Sequence, residues 1–237
     1  MCGRYASPDT ADIERAWHIG RHNNNPLRRR FNVLPTTNVP ILRRAADADV
    51  LELTEARWGL IPHWWSKPKA PTSTINARSE EAAGKPMWRE PYRQARCLIP
   101  AIGWYEWKPI DRTDPATGEV RSYKQPYYLR VVRDGPVCFA GLMCTWTPTG
   151  GEPRLTCAIL TRAPSPSAAK VHDRMPVILV EAAHAEWIDQ TMKDAARVAE
   201  IIATKAIDEV KHHAVGTRLN AAKTDSEDLV QPIVKPT

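Results

Sequence analysis

Three features of this chain predict an α+β fold with a mainly antiparallel sheet core. Its segments run in the order helix, many strands, helix, strand. No internal repeat and no clear linker interrupts that order. A length of 237 residues suits one domain spanning 1–237, long enough to bury a substantial core.

The elements follow from local pattern. Pro8–His18 reads as a helix that Ser7 or Asp9 can cap, with Ile13 and Trp17 four apart on one face. Residues 21–30 are a polar loop. Phe31–Leu42 is punctuated by prolines, as an edge strand or extended segment would be. Asp49–Ile61 alternates at Val50, Glu52 and Thr54 and reads as strand. Pro62–Glu81 is long, proline-rich and aperiodic, the kind of loop that often carries function. Ala95–Trp107 is a buried strand with a glycine break, and Asp111–Gln125 a turn-rich hairpin loop. Pro126–Val132 and Val137–Trp146 read as two strands joined by the turn Arg133–Pro136. Arg154–Leu160 is another buried strand, 161–176 a second loop, and Val177–Val180 a short strand. Ala185–Lys205 is predicted as the longest helix, with Ile188, Met192, Ala195, Val198 and Ile202 on a core-facing stripe. From about residue 206 the chain returns as a strand and an extended tail.

Composition narrows the function classes. Hydrophobic residues make up 43 %, an ordinary globular value. No apolar run approaches a membrane span, and Ala11–Gly20 is too charged for a signal peptide, so a cytoplasmic protein without membrane contact is expected. The net charge of +6, with basic runs at Arg28–Arg30 and Arg43–Arg44, suits a polyanionic partner. Nine Trp against two Phe is unusual; Trp serves both as core and as a stacking platform for unpaired bases. Cys2, Cys97, Cys138, Cys144 and Cys157 are odd in number and lack C-x-x-C spacing, which favours neither a disulfide framework nor a zinc site. Cys97, Cys138 and Cys157 sit in apolar runs and read as buried small hydrophobes. His212 and His213 have no partner at ligand spacing, so no metal and no cofactor is expected.

Four places carry chemistry that packing does not call for. The chain begins Met-Cys-Gly-Arg. If Met1 is removed, Cys2 offers an amine and a thiol on adjacent carbons, with ordinary pKa values of about 8 and about 8.5. An aldehyde meeting that pair can form an imine and then a thiazolidine. In STINARSE, Asn76 and Arg78 point the same way on an extended chain. In GWYEWK, Glu106 lies among aromatic residues, which tends to raise a carboxyl pKa. In VHDRMP, His172, Asp173 and Arg174 precede a buried strand, and histidine is the proton shuttle of neutral pH. Each place has a plain alternative: a chance second residue, a turn former, a solvated strand residue, a structural ion pair.

Taken together, MCGRYA, FNVLPTT, RWGLIPHWW, INARSE, RCLIPAIGWYEWK, FAGLM, TCAILT and VHDRMPVIL, in that order over nearly the whole chain, resemble the SOS-response-associated peptidase (SRAP) family, sensors of abasic sites in single-stranded DNA. The resemblance implies one α+β domain with a curved, barrel-like antiparallel core, acting as a monomer. It implies that Cys2, exposed by Met1 removal, forms a thiazolidine with the sugar aldehyde, with Asn76, Glu106 and His172 as catalytic partners. By the same resemblance Arg4, Pro35, Trp64, Trp65, Arg78 and Arg174 face DNA, and the protein is cytoplasmic, joining the nucleoid when bound. The chain departs from the family pattern at Arg162 and in the proline-rich stretch before His172.

Three other classes compete. An N-terminal-nucleophile amidotransferase also begins Met-Cys-Gly but needs an Asn-Gly oxyanion element, and no Asn-Gly dipeptide exists here. A non-covalent single-strand-binding module would leave Cys2, Glu106 and His172 without roles. Proteolysis of other proteins would need a second base–nucleophile pair, which the sequence does not offer.

Overall fold

A computed structural model describes residues 2–19, 26–47, 49–67, 69–113 and 116–233. Among these residues, thirteen strands fall into two sheets. They are β1 (Arg4–Ser7), β2 (Arg30–Val33), β3 (Asn38–Arg44), β4 (Leu51–Trp58), β5 (Asn76–Arg78), β6 (Arg96–Ala101), β7 (Gly103–Thr113), β8 (Val120–Val131), β9 (Val137–Trp146), β10 (Arg154–Arg162), β11 (Met175–Pro176), β12 (Ile178–Leu179) and β13 (Val210–Ala214). The helices are α1 (Thr10–Trp17), α2 (Ser79–Ala82), α3 (Arg89–Gln94), α4 (His184–Trp187) and α5 (Ala195–Lys205).

One sheet has the order β13-β8-β7-β1-β2. The other closes on itself: β10 pairs β4, β4 pairs β3, β3 pairs β6, β6 pairs β9, and β9 returns to β10. This five-strand barrel, antiparallel except for β10–β4, matches the predicted barrel-like core. Closure removes the open edges that would otherwise invite pairing with other chains.

Three apolar clusters hold the layers together. Tyr5 and Trp104 of the five-stranded sheet meet Phe139 of the barrel edge-on, at 5.9 and 6.1 Å between ring centroids. The barrel's other face packs Leu42, Leu98 and Leu142 against Tyr92, Trp187 and Ile201 of the helices. The third cluster covers Ala6, Tyr105 and Tyr128 with Val215, Leu219 and Leu229 of the C-terminal segment. Cys97, Cys138 and Cys157 are fully buried in the first two, as their apolar runs imply.

Helix α1 forms as predicted, and Asp9 rather than Ser7 caps it by accepting from the Asp12 N–H at 2.9 Å. The expected hairpin loop 111–125 is largely strand, with β7 running to Thr113 and β8 starting at Val120 because the two strands pair with each other there. Four further expectations need correction. The run 31–42 is not one edge segment: β2 is an edge, but β3 lies between β4 and β6. Pairing of β3 with β6 is confined to Leu42↔Leu98, so the N–H that Pro40 lacks costs no ladder bond to β6. The run 95–107 is two strands in different sheets, β6 and β7, divided at Ile102. Gly103 is required just after that corner, because a Cβ there would lie 2.4 Å from the Tyr128 ring. The turn at Arg133–Pro136 does not close a hairpin; β8 and β9 belong to separate sheets and the chain crosses between them.

The last of these concerns 185–205. It is not one helix but α4 and α5, with Asp194 capping α5 through the Ala196 N–H. Arg96 secures the break. Its buried guanidinium donates to the carbonyls of Trp187 at 2.6 Å, Asp189 at 2.5 Å and Met192 at 2.8 Å, and also to those of Tyr92 and Arg93. In a continuous helix the carbonyls of Trp187 and Asp189 would be committed to the N–H groups four residues on.

Candidate active site

The site is assembled from four separate parts of the chain. Cys2 precedes β1, whose register with β7 pairs Arg4 with Tyr105; one further step sets Gly3 opposite Glu106. Glu106 shares a strand face with Trp104 and is 2 % exposed. Asn76 opens β5, aligned with Ile159 of β10, and its Nδ2 donates to the Cys2 carbonyl at 2.8 Å. The Asn76 Oδ1 is buried without a hydrogen-bond partner among the described residues. His172 follows a tight turn at Ala168–Lys170, which Lys108 of β7 pins by donating to the Lys170 carbonyl at 2.8 Å.

Electrostatics suit proton transfer. The His172 Nε2 lies 3.5 Å from a Glu106 carboxylate oxygen. Burial raises the Glu106 carboxyl from its ordinary 4.5 to about 7, and burial lowers His172. The His172 Nδ1 is met from two sides, by the Arg174 N–H at 3.1 Å and an Asp173 carboxylate oxygen at 2.9 Å. The amide suits the neutral ring, which accepts at Nδ1; the carboxylate suits the protonated ring, which donates there. Burial, then the Glu106 charge, pushes the fully buried Cys2 thiol well up, so it is held as a thiol until a base takes its proton.

A cleft of about 420 Å³ opens on the Glu106–His172 end of this cluster, lined also by Arg4, Trp107, Lys124 and Asn220, while Cys2 and Asn76 are buried and do not line it. Lys124 and Asn220 come from distant segments with no local signal in the sequence. Among the described residues no group of three or more His, Cys, Asp or Glu side chains is placed to hold a metal ion.

Comparison with known proteins decides the family. Residues 1–222 match the SOS response associated peptidase (SRAP) family. The chain belongs to this family. It is 33 % identical over 233 residues to the abasic site processing protein YoqW of Bacillus subtilis, covering 98 % of this chain and 99 % of that one. It is 30 % identical over 244 residues to the abasic site processing protein YedK of Escherichia coli, covering 98 % and 100 %. Among solved structures, a phage-related protein of Bordetella bronchiseptica is similar at 31 % identity and a TM-score of 0.65, covering 90 % of this chain and 94 % of that one. A protein of Bacteroides thetaiotaomicron shares the fold at a TM-score of 0.72 and 24 % identity, covering 86 % of this SRAP chain and 85 % of that one.

The remaining residues singled out in this SRAP sequence do not all stand open to a ligand. Pro35 sits in the turn between β2 and β3, beside Thr36 at φ +68°. Arg4 lines the cleft, but its guanidinium already donates to the Asn32 side chain at 3.2 Å and to the Leu219 carbonyl, and lies 5.8 Å from the centre of the Trp107 ring. Arg78 is exposed at the end of β5, 3.4 Å from Glu81. Arg174 is engaged: it makes a bidentate pair with Glu80, 2.8 Å on each arm, and donates to the Thr161 carbonyl at 2.6 Å. Glu80, inside the INARSE motif, was not singled out by the sequence, yet it ties β5 and α2 to the His172 loop. Trp64 and Trp65 differ sharply. Trp65 is anchored, its indole N–H donating to the Lys69 carbonyl at 3.0 Å and its own carbonyl accepting from Trp146 at 2.7 Å. Trp64 is half exposed. Arg162 is structural, donating to the Ile207 carbonyl at 2.9 Å and to Asp208.

The Glu106 environment has a measurable consequence. A carboxyl at about 7 when folded and near 4.5 when unfolded binds more protons in the folded state. Its stability cost is absent below pH about 4.5, grows as pH rises through the window, and is complete above about 7. Glu106→Gln is therefore expected to melt above the wild type at pH about 8 and with it at pH about 4. Thermal melts at the two pH values check this; a variant melting lower at pH about 8 would refute the buried-carboxyl account.

Proposed function

We propose that this chain binds single-stranded DNA at abasic sites and joins itself covalently to the lesion through Cys2, shielding it. The reading requires removal of Met1, since an acylated Cys2 nitrogen is an amide with no lone pair to donate. Once free, the amine adds to the aldehyde carbon of the ring-opened sugar, and a proton moves from nitrogen to oxygen to give a carbinolamine. That hydroxyl leaves as water and an imine remains. The Cys2 thiol then adds to the imine carbon, its proton passes to nitrogen, and a thiazolidine ring closes. One water is released overall and the balance needs no co-reactant.

The observation that supports the reading is a chain of contacts from Cys2: Asn76 holds the Cys2 carbonyl, the Glu106 charge acts on the Cys2 thiol, and His172 lies 3.5 Å from Glu106. His172 is suited to protonate the sugar ring oxygen as the ring opens. Glu106, titrating at about 7, can both take and return a proton near neutrality at the amine and the carbinolamine. Asn76, holding the Cys2 carbonyl with its amide N–H, keeps a buried oxygen free to accept from the Cys2 amine. The names of the relatives YoqW and YedK agree with this substrate. Intact mass after incubation with an abasic single strand tests it: the sum of the two masses less one water is expected. A protein mass unchanged after prolonged incubation, with Met1 removed, would end the proposal.

The grip on DNA is read as basic side chains for phosphates and Trp64 for a base. Arg78→Ala should weaken binding and flatten the plot of log K against log salt by roughly 0.7. Trp64→Ala should weaken binding with the slope unchanged, because stacking releases few ions. Trp65→Ala, at an anchored ring, should cost folding stability instead. A salt titration of the three variants separates these effects, and a salt-independent affinity would rule the picture out.

A further inference from the structure

Beyond the site, β7 and β8 continue as a two-stranded ribbon. β1 pairs with β7 only over Gly103–Tyr105, and β13 pairs with β8 only over Tyr127–Val131. From Lys108↔Gln125 to Thr113↔Val120 the two strands pair only with each other. Every residue of Val120–Lys124 is exposed, with Val120 at 62 % and Tyr123 at 47 %. An isolated two-stranded hairpin is marginal in water, and its edges are open for pairing. A ribbon of this length that is not used for packing calls for another use.

Its two faces differ in charge. Side chains alternate along a strand, so Lys108, Ile110 and Arg112 lie on the same face as Glu106, and their cross-strand partners Gln125, Tyr123 and Arg121 share it. Every charged group of the ribbon on that face is cationic. The reverse face carries Asp111 and Lys124, and Glu119, just outside the paired register, sits on Arg121 at 2.8 Å. The Arg112 guanidinium lies 5.7 Å from the centre of the exposed Tyr123 ring. An aromatic ring with a cation beside it, at the end of a cationic stripe, is the combination that holds single-stranded nucleic acid without reading its sequence. Arg112 is six residues beyond Glu106, which at a strand's rise of ~3.4 Å per residue places it roughly 20 Å from the site.

We propose that this ribbon is a second contact for single-stranded DNA, in which Tyr123 stacks on a base remote from the lesion and Arg112 pairs with its phosphate. The proposal rests on the reading that the strand passes through the Glu106–His172 site. It predicts a length effect. Anisotropy titrations with undamaged oligodeoxynucleotides should show wild-type affinity rising once the strand is long enough to reach the ribbon. Tyr123→Ala should then lose about tenfold on long strands and nothing on short ones. Tyr123→Phe should restore the loss, because the ring and not the hydroxyl is used. Arg112→Ala should flatten the salt slope by roughly 0.7 on long strands only. Both residues are exposed, and melting curves of the three variants matching the wild type would establish intact folding.

Equal affinity of wild type and Tyr123→Ala for long strands would overturn the proposal, as would equal losses on long and short strands. These binding assays use undamaged DNA and do not depend on covalent chemistry. Absence of a covalent product with a short abasic strand would therefore count against the Cys2 mechanism alone, and a missing length effect against the ribbon alone.

Discussion

Cys2→Ala is expected to abolish the durable adduct with abasic single strands. The substitution keeps the amine, so an imine can still form, but water reverses an imine while ring closure by the thiol traps it. Cys2→Ser should behave alike, giving a product only when borohydride reduces the imine. Both side chains are small, and Cys2 is fully buried against Tyr5 and its neighbours, so the fold should survive either change with a modest loss of stability. An N-terminal extension that is not removed should prevent even the imine, because the nitrogen is then an amide. Denaturing gels with and without borohydride check the set. A wild-type yield of adduct from Cys2→Ala without reductant would remove the thiol from the mechanism. A crosslinked chain whose mass still includes Met1 would remove the amine.

The largest effect on stability is expected at Arg96, far from the chemistry. Its guanidinium is 1 % exposed and serves five backbone carbonyls, with no carboxylate within ion-pair distance among the described residues. Burial pushes it down, to about 10, which still leaves it charged at neutral pH. Arg96→Ala would strand the buried carbonyl of Trp187, remove the partners of Asp189 and Met192, and open a cavity beside Trp187, whose ring centre lies 5.7 Å from the guanidinium. A loss of about 3–5 kcal/mol in urea unfolding is expected. Arg96→Lys should recover little, because one ammonium with three donors cannot span five acceptors set around a planar fork. A loss under about 1 kcal/mol for Arg96→Ala would show that the carbonyls find other partners.

Arg96 also marks where reading the sequence stopped short. The stripe Val198 and Ile202 was legible at helical spacing, and both residues are buried. The break between α4 and α5 is only partly local: Asp189 and Asp194 supply a turn and a cap, but the guanidinium that takes the freed carbonyls comes from about 90 residues earlier. Helix α1 was legible because its cap, Asp9, is its immediate neighbour. The corner at Ile102 and the passage from β8 to β9 were not, since which sheet a strand joins depends on partners elsewhere and not on its own alternation.

The same division runs through the site. By itself the sequence determined the α+β class, helix α1, most strand positions, the buried cysteines, and the polar islands at Cys2, Asn76, Glu106 and His172, because each of those islands interrupts a local apolar pattern. Only the tertiary structure decided that the Asn76 amide holds the Cys2 carbonyl and that His172 lies 3.5 Å from Glu106. It also decided that Trp64 is half exposed while Trp65 is anchored by its indole N–H, and that Glu80 already occupies Arg174. The physical reason is range. Periodicity, caps and turns act over a few residues and are written in local order, whereas burial, ion pairing and orientation depend on strand registers that bring positions 2, 76, 106 and 172 together.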